Sequence, residues 1–335
     1  MKLPKKYTLI SIIITIIALS VAFRDVKINY IFDYIRKGRY LYMVPAFLFL
    51  CLYCFLRAIR WGVFFTKKIS LKGLFAATMV GFMANNIFPA RAGEFLKAYM
   101  LGRSQSVSKS TCFATVILER LWDGLTLVFF MGCIFLLSTF SGGFNLGYKS
   151  QYGSLKFASV IFILFYAVAF FFIINWEKYF QKINGVLTKI LKIFSVKFAE
   201  HFSFRLVKFS EGLAVFKDHR KIIVSIILSI AIWVSAALTI YFMLKAFSMN
   251  LSFLAPFVLL IFIALFVMLP SWGTLGTMQM GFIFGLGLFG ISKPEALSFS
   301  FVYQFFDTVP VIIVGLVYFW RFGLAFDKLL KIEDG

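Results

Sequence analysis

Residues 81–97 read GFMANNIFPARAGEFLK, a polar knot between long apolar runs. Pro89 disfavours helix at the residue before it and removes a ladder N–H. A helix arriving from residue 71 is therefore predicted to stop at Asn85-Asn86. Gly93 follows, and a shorter amphipathic piece, Phe95 to Leu101, runs on. In hydrocarbon, unpaired backbone N–H and C=O groups are tolerated only where protein or a wet cavity covers them. The stretch predicts a helical hairpin broken inside a membrane, with its polar tip sheltered.

The surrounding chain supports that setting. Of the 335 residues, 61% are apolar and 15% charged, and the mean hydropathy is +0.91. A soluble domain is usually ~45–50% apolar. The apolar runs fall at 7–23, 41–65, 71–88, 110–138, 153–174, 222–245, 251–269, 277–290 and 296–320. Most are long enough for a bilayer core of ~30 Å. The chain reads as a polytopic integral membrane protein. The first run follows Lys2, Lys5 and Lys6 and ends at Arg24-Asp25-Val26-Lys27, with no small-x-small cleavage site, so it reads as a retained helix. The net charge of +21 sits mostly between the runs, where the positive-inside bias and anionic headgroups explain it. No nucleic-acid-binding motif accompanies it.

A second interruption resembles the first. LPSWGTLGTMQMGF at 269–282 places Pro270, Gly273 and Gly276 inside an apolar stretch. Each interruption is the third apolar element of its half, and each half reads span, span, broken hairpin, span. The basic loops share the cytoplasmic side only if 73–103 and 253–290 each return to the side they entered. The expected fold is all-α: six full transmembrane helices plus two re-entrant hairpins in an inverted repeat, 1–140 and 153–320. Both termini are expected in the cytoplasm of a prokaryote's inner membrane. Residues 24–39, with five basic and two acidic side chains, run against this topology. The segment 175–221 holds ten Lys/Arg against four Asp/Glu. It reads as a basic amphipathic helix on the cytoplasmic leaflet or as a soluble helical hairpin beneath the bundle.

Charges at membrane depth normally face protein or water and have a partner. Arg57 and Arg60, three apart, share a helix face. They read either as a phosphate clamp, since guanidinium forks match phosphate oxygens, or as snorkelling interface residues. In the first hairpin, Asn85 and Asn86 suit unpaired backbone, and Arg91 and Glu94 suit each other or a zwitterionic ligand. The alternative is a hairpin tip in the interface that merely caps and snorkels. Glu119, Arg120 and Asp123 lie about ten residues into the span that starts at Ser110. They read as a cation- or proton-binding group, or as a structural ion pair with Arg57, Arg60 or Arg91. Asp307, with Tyr303 and Gln304 one turn before it, is a lone acid in an apolar helix. Gln279, in the second hairpin, is placed to reach the same cavity.

Four cysteines occur, Cys51, Cys54, Cys112 and Cys133; Cys51 and Cys54 have redox-motif spacing but lie inside a span, and they read as packing residues. His201 and His219 sit among lysines and read as solvated or headgroup-facing side chains, not metal ligands. No nucleotide-binding glycine loop, metal cluster or nucleophile–histidine pair occurs, so no catalytic residue, metal or cofactor is assigned.

Five motifs in order carry a family resemblance: LRAIRW (56–61), NIFPARAGE (86–94), ERLWD (119–123), LPSWGTLG (269–276), and a tyrosine-bearing span ending P-x-x-x-x-G (310–315). Together they resemble the lysylphosphatidylglycerol synthase transmembrane-region, or flippase-like, family over about residues 10 to 320. The resemblance implies a lipid-handling membrane domain that moves an aminoacylated phospholipid or a polyprenyl-phosphate-linked intermediate. The family's aminoacyl-transferring half follows the membrane region, and this chain, stopping at Gly335, is expected to lack it. Relative to the family's usual second hairpin, Gln279 stands at a glutamate position, Trp272 at a proline and Thr274 at a glycine. Gln304 stands where an arginine is usual. The implied reading is a flippase whose Arg57, Arg60 and Arg91 contact phosphate. Glu94, Glu119 and Asp123 would hold an amine or a coupling proton. An intramembrane enzyme modifying a headgroup and a non-transporting factor that meets envelope-synthesis proteins are the alternatives.

Overall fold

The computed structural model describes residues 5–24, 26, 33–140 and 218–322, with scattered positions between 168 and 207. The predicted span 153–174 and most of 175–221 lie outside the described residues. Helices make up the regular structure of the rest: α1 (Lys5–Phe23), α2 (Met43–Val63), α3 (Leu71–Ile87), α4 (Gly93–Ser104), α5 (Lys109–Phe140), α6 (His219–Ala246), α7 (Ala255–Val267), α8 (Thr277–Gly287) and α9 (Lys293–Arg321).

Helix ends follow local chemistry. Ser70 Oγ accepts from Gly73 N at 3.1 Å and starts α3. The Asp218 carboxylate accepts from the backbone of Arg220 and Lys221 and starts α6. Both are ordinary N-caps. Phe88, forced extended by Pro89, ends α3 at φ −102° and ψ 147°. Three helices among the described residues are long and apolar enough to cross a membrane: residues 40–63, α6 and α9. Helix α1 contains a shorter apolar stretch, and α5 runs 32 residues with charges inside it.

Glycine contacts fix the course of both interrupted segments. Gly73 faces Gln105, while Gly81 faces Gly93 and Lys97, so α3 and α4 run antiparallel. Gly281 sits on Ile263 and Gly285 on Leu259, so α7 and α8 do the same. Each is a helical hairpin closed by a 3₁₀ turn, at Pro89–Arg91 and at Trp272–Thr274. Both turns use left-handed backbone, at Arg91 (φ 55°) in the first and at Gly273 and Thr274 (φ 56° and 59°) in the second.

Helix α9 shows how the hairpins face one another. Its first half packs on α8, where Phe282 meets Phe299 and Tyr303. Its second half packs on α3, where Gly315 abuts Met83 and Met79. The base of the second hairpin therefore lies at the start of α9 and the base of the first at its end. The hairpins enter from opposite ends, and their turns touch beside the middle of α9. The main core cluster joins α6, α7, α8 and α9 through Ile240, Leu259, Phe282 and Phe299, all fully buried.

Candidate functional site

The two turns hold each other by reciprocal bonds. The Arg91 guanidinium, on the first turn, donates to the carbonyl of Val267, the last residue of α7. The indole N–H of Trp272, on the second turn, donates to the carbonyl of Ile87, the last residue of α3, at 2.9 Å. Each tip thus caps carbonyls that a broken helix leaves without an intrahelical donor. Gly273 makes the approach feasible, because a Cβ there would stand 2.6 Å from the Asn86 carbonyl oxygen. Asn85 does the same service within its own hairpin: its Oδ1 accepts from Gly93 N at 2.9 Å, at the start of α4. Asn86 Nδ2 donates to the Phe82 carbonyl, and its Oδ1 accepts from Thr308 on α9. In the second hairpin, Gln279 Oε1 accepts from Gly276 N while its amide donates to Gln304 Oε1. Gln304 in turn donates to the Gly273 carbonyl. The uncharged Gln279 and Gln304 therefore brace a turn.

The ionisable groups form two sets. In the first, Asp123 receives Arg57 at 2.9 Å, Arg60 at 2.7 Å and Arg120 at 3.2 Å, and Arg120 also reaches Glu94 at 3.1 Å. Arg60 has no exposed surface and also donates to Ser229 on α6. In the second, Glu119 pairs with Lys97 of α4 at 2.6 Å, with the ammonium 4.1 Å from the centre of the Trp61 ring. Both members are buried. Arg57 and Arg60, two of the three arginines named in the structural alternative for this acidic group, pair with Asp123. Nothing in composition or motif singles out Lys97, and its three-residue spacing from Glu94 is the one signal the sequence offers.

A cavity of about 400 Å³ lies where these elements converge. Arg57, Asn85, Asn86, Arg91, Arg120, Asp123, Tyr303 and Asp307 all face it. Arg60, Glu94, Glu119, Gln279 and Gln304 are not on its wall, although Glu94 touches it indirectly through Arg120. Composition and spacing gave no warning of Tyr53, Trp233 and Thr239, which also line it. Tyr53 lies under the Arg57 guanidinium at 4.9 Å, and the buried Trp233 indole N–H has no hydrogen-bond partner among the described residues. Beside the cavity runs an almost wholly apolar groove of about 840 Å³, between residues 35–43, the second turn and the outer face of α9. Asn86 lines both spaces.

No solved structure matches the chain. Among curated proteins, the UPF0104 membrane protein of Methanothermobacter thermautotrophicus is 24% identical over 335 residues, covering 96% of this chain and 97% of its own. The UPF0104 membrane protein MJ1595 of Methanocaldococcus jannaschii is 25% identical over 218 residues, covering 62% of each chain. MJ1078 of the same organism is 24% identical over 238 residues, covering 70% of this chain and 92% of its own. The family profile described as the lysylphosphatidylglycerol synthase TM region matches residues 8–315. This integral membrane protein therefore belongs to the lysylphosphatidylglycerol synthase transmembrane-region family.

Proposed function

We propose that the protein is a lipid flippase, moving a phospholipid or a polyprenyl-phosphate-type intermediate with its headgroup in the cavity and a hydrocarbon chain in the adjoining groove. The observation that carries this reading is the common wall. A charged cavity and an apolar groove meet at Asn86, with Tyr303 and Asp307 on one side and Gln304 and Thr308 on the other. An amphiphile has the same two-part chemistry. Guanidinium groups on the cavity wall suit phosphate oxygens, and Arg91 and Arg120 would meet them first. Arg57 would share itself between phosphate and Asp123.

The topology that fits this reading has six crossings: α1, α2, α5, the predicted span 153–174, α6 and α9. Helices α4, α7 and α8 have 12, 13 and 11 residues. At ~1.5 Å per residue they reach only about 17–20 Å, short of a core of ~30 Å. The two hairpins are then re-entrant elements of an inverted repeat, with α3 resting on the last helix of the second half and α7 on that of the first. Lys67, Lys68, Lys72, Arg103, Lys109 and Lys221 crowd the end where α3 begins, which supports a cytoplasmic position for that end. Helix α1 starts and α9 finishes there too.

Native mass spectrometry of gently extracted protein tests the reading. A phosphate-bearing lipid should co-purify, and Arg91→Ala and Arg120→Ala should each reduce its retention in folded protein. Unchanged retention in both variants would refute the headgroup assignment. Turnover of a labelled headgroup by the purified protein would favour an intramembrane enzyme instead.

A further inference from the structure

Four carboxylates stand in the interior near the two turns: Glu94, Glu119, Asp123 and Asp307. Three are neutralised by cations of the same chain. Arg120 serves Glu94, Lys97 serves Glu119, and Arg57, Arg60 and Arg120 serve Asp123. Asp307 is the exception. It faces the cavity, yet it enters none of the ion pairs among the described residues. The groups close enough to feel its charge are the hydroxyls of Tyr53 on α2 and Tyr303 on α9, and the thiol of Cys54 on α2. Arg57, Arg91, Arg120 and Asp123 share the cavity wall but are engaged elsewhere. Helices α6, α7 and α8 bring no titratable side chain to it.

An isolated charge at membrane depth is costly and marks a pathway for ions or protons. We propose that Asp307 is the proton-exchange site of the cavity, taking up a proton in one state of the transport cycle and releasing it in another. Lipid passage is thereby coupled to a proton. This inference rests on the lipid-transport reading above. The step is acid–base exchange alone: one O–H bond forms on the carboxylate from a water-borne proton and later breaks, with no change of oxidation state. A metal cation fits less well. Hard cations take several oxygen ligands, and among the described residues no three His, Cys, Asp or Glu side chains stand together as a metal site.

The position also suits a switch. Thr308, the next residue, bonds to Asn86 at the first turn, and Gln304, three residues earlier, bonds to Gly273 at the second. Pro310 leaves the Phe306 carbonyl without its helical N–H. Helix α9 is thus interrupted in its hydrogen bonding at the level where both tips lean on it. A change of charge at Asp307 acts on that stretch.

Two measurements test the proposal. Purified protein is reconstituted into vesicles of phosphatidylglycerol and phosphatidylethanolamine containing fluorescent phosphatidylglycerol. Leaflet transfer is then timed with and without a pH gradient. The expected result is a severalfold effect of the gradient on the wild type, its loss in Asp307→Asn and its retention in Asp307→Glu. Infrared difference spectra over an acid-to-alkaline titration should show a protonated-carboxyl band that is lost in Asp307→Asn and shifted in Asp307→Glu. A gradient effect or a titrating band that survives intact in Asp307→Asn overturns the proposal. So does a wild type with no titrating band, or one whose band responds to sodium rather than to protons. If Asp307→Asn does not fold, an unshifted band in Asp307→Glu has the same force. If no labelled phosphatidylglycerol moves in any vesicle, the transport reading fails for that phospholipid, and the infrared band alone decides whether Asp307 exchanges a proton.

Discussion

Replacing Lys97 with methionine should strongly destabilise the fold, whereas replacing Lys97 and Glu119 together should not. The ammonium and carboxylate are 2.6 Å apart and both sequestered from solvent. At an effective dielectric of ~20 their gross attraction is about 6 kcal/mol. Desolvating each ion costs several kcal/mol, so the intact pair is close to neutral relative to an apolar pair of the same volume. Breaking it is different. Among the described residues, Lys97→Met leaves Glu119 buried without an ion-pair partner, and its Oε1 already lacks a hydrogen-bond partner there. The expected loss is about 3–5 kcal/mol, to which the lost contact with the Trp61 face adds up to ~2 kcal/mol. Lys97→Met with Glu119→Leu should recover most of that loss. The assay is a double-mutant cycle on equilibrium unfolding in detergent micelles. Single substitutions that each cost under ~1 kcal/mol, and that add without coupling in the double variant, would refute the reasoning.

Gly93→Ala should destabilise the first hairpin by at least ~1–3 kcal/mol, because its Cβ would clash with the Gly81 carbonyl oxygen and Asn85. Gly132→Ala on α5, where a Cβ meets nothing within 4 Å, is the control and should gain up to ~1 kcal/mol; thermal unfolding distinguishes the two. Asp123→Ala should cost about 3–5 kcal/mol, since it strips the buried Arg57 and Arg60 of their carboxylate; chemical unfolding reads this directly. Gly273→Ala should force the two tips apart, because a Cβ there collides with the Asn86 carbonyl and the backbone is left-handed. The cavity should then become more accessible, and a thiol reagent should label Cys54 faster than in the unsubstituted protein.

Much of the fold was legible from local signals. Pro89 and Pro270, with Gly93, Gly273 and Gly276, marked both interruptions, because proline and glycine change backbone options wherever they stand. The asparagines at 85 and 86 were readable as backbone partners for the same reason. Trp272 stands out in the sequence only as a departure from a family pattern, yet it is the donor that caps α3 from the opposite hairpin. Trp233 and Tyr53 looked like any other aromatic residue in an apolar run.

The sequence by itself determined that the chain lives in a bilayer and where its helices stop, since hydropathy and chain-breaking act over a few neighbouring residues. Only the tertiary structure decided which charges neutralise one another. The partners Arg57 and Asp123 are 66 positions apart, and Lys97 and Glu119 are 22 apart. Their meeting depends on which helix faces pack together, and among the described residues the same packing leaves Asp307 on the cavity wall without an ion-pair partner.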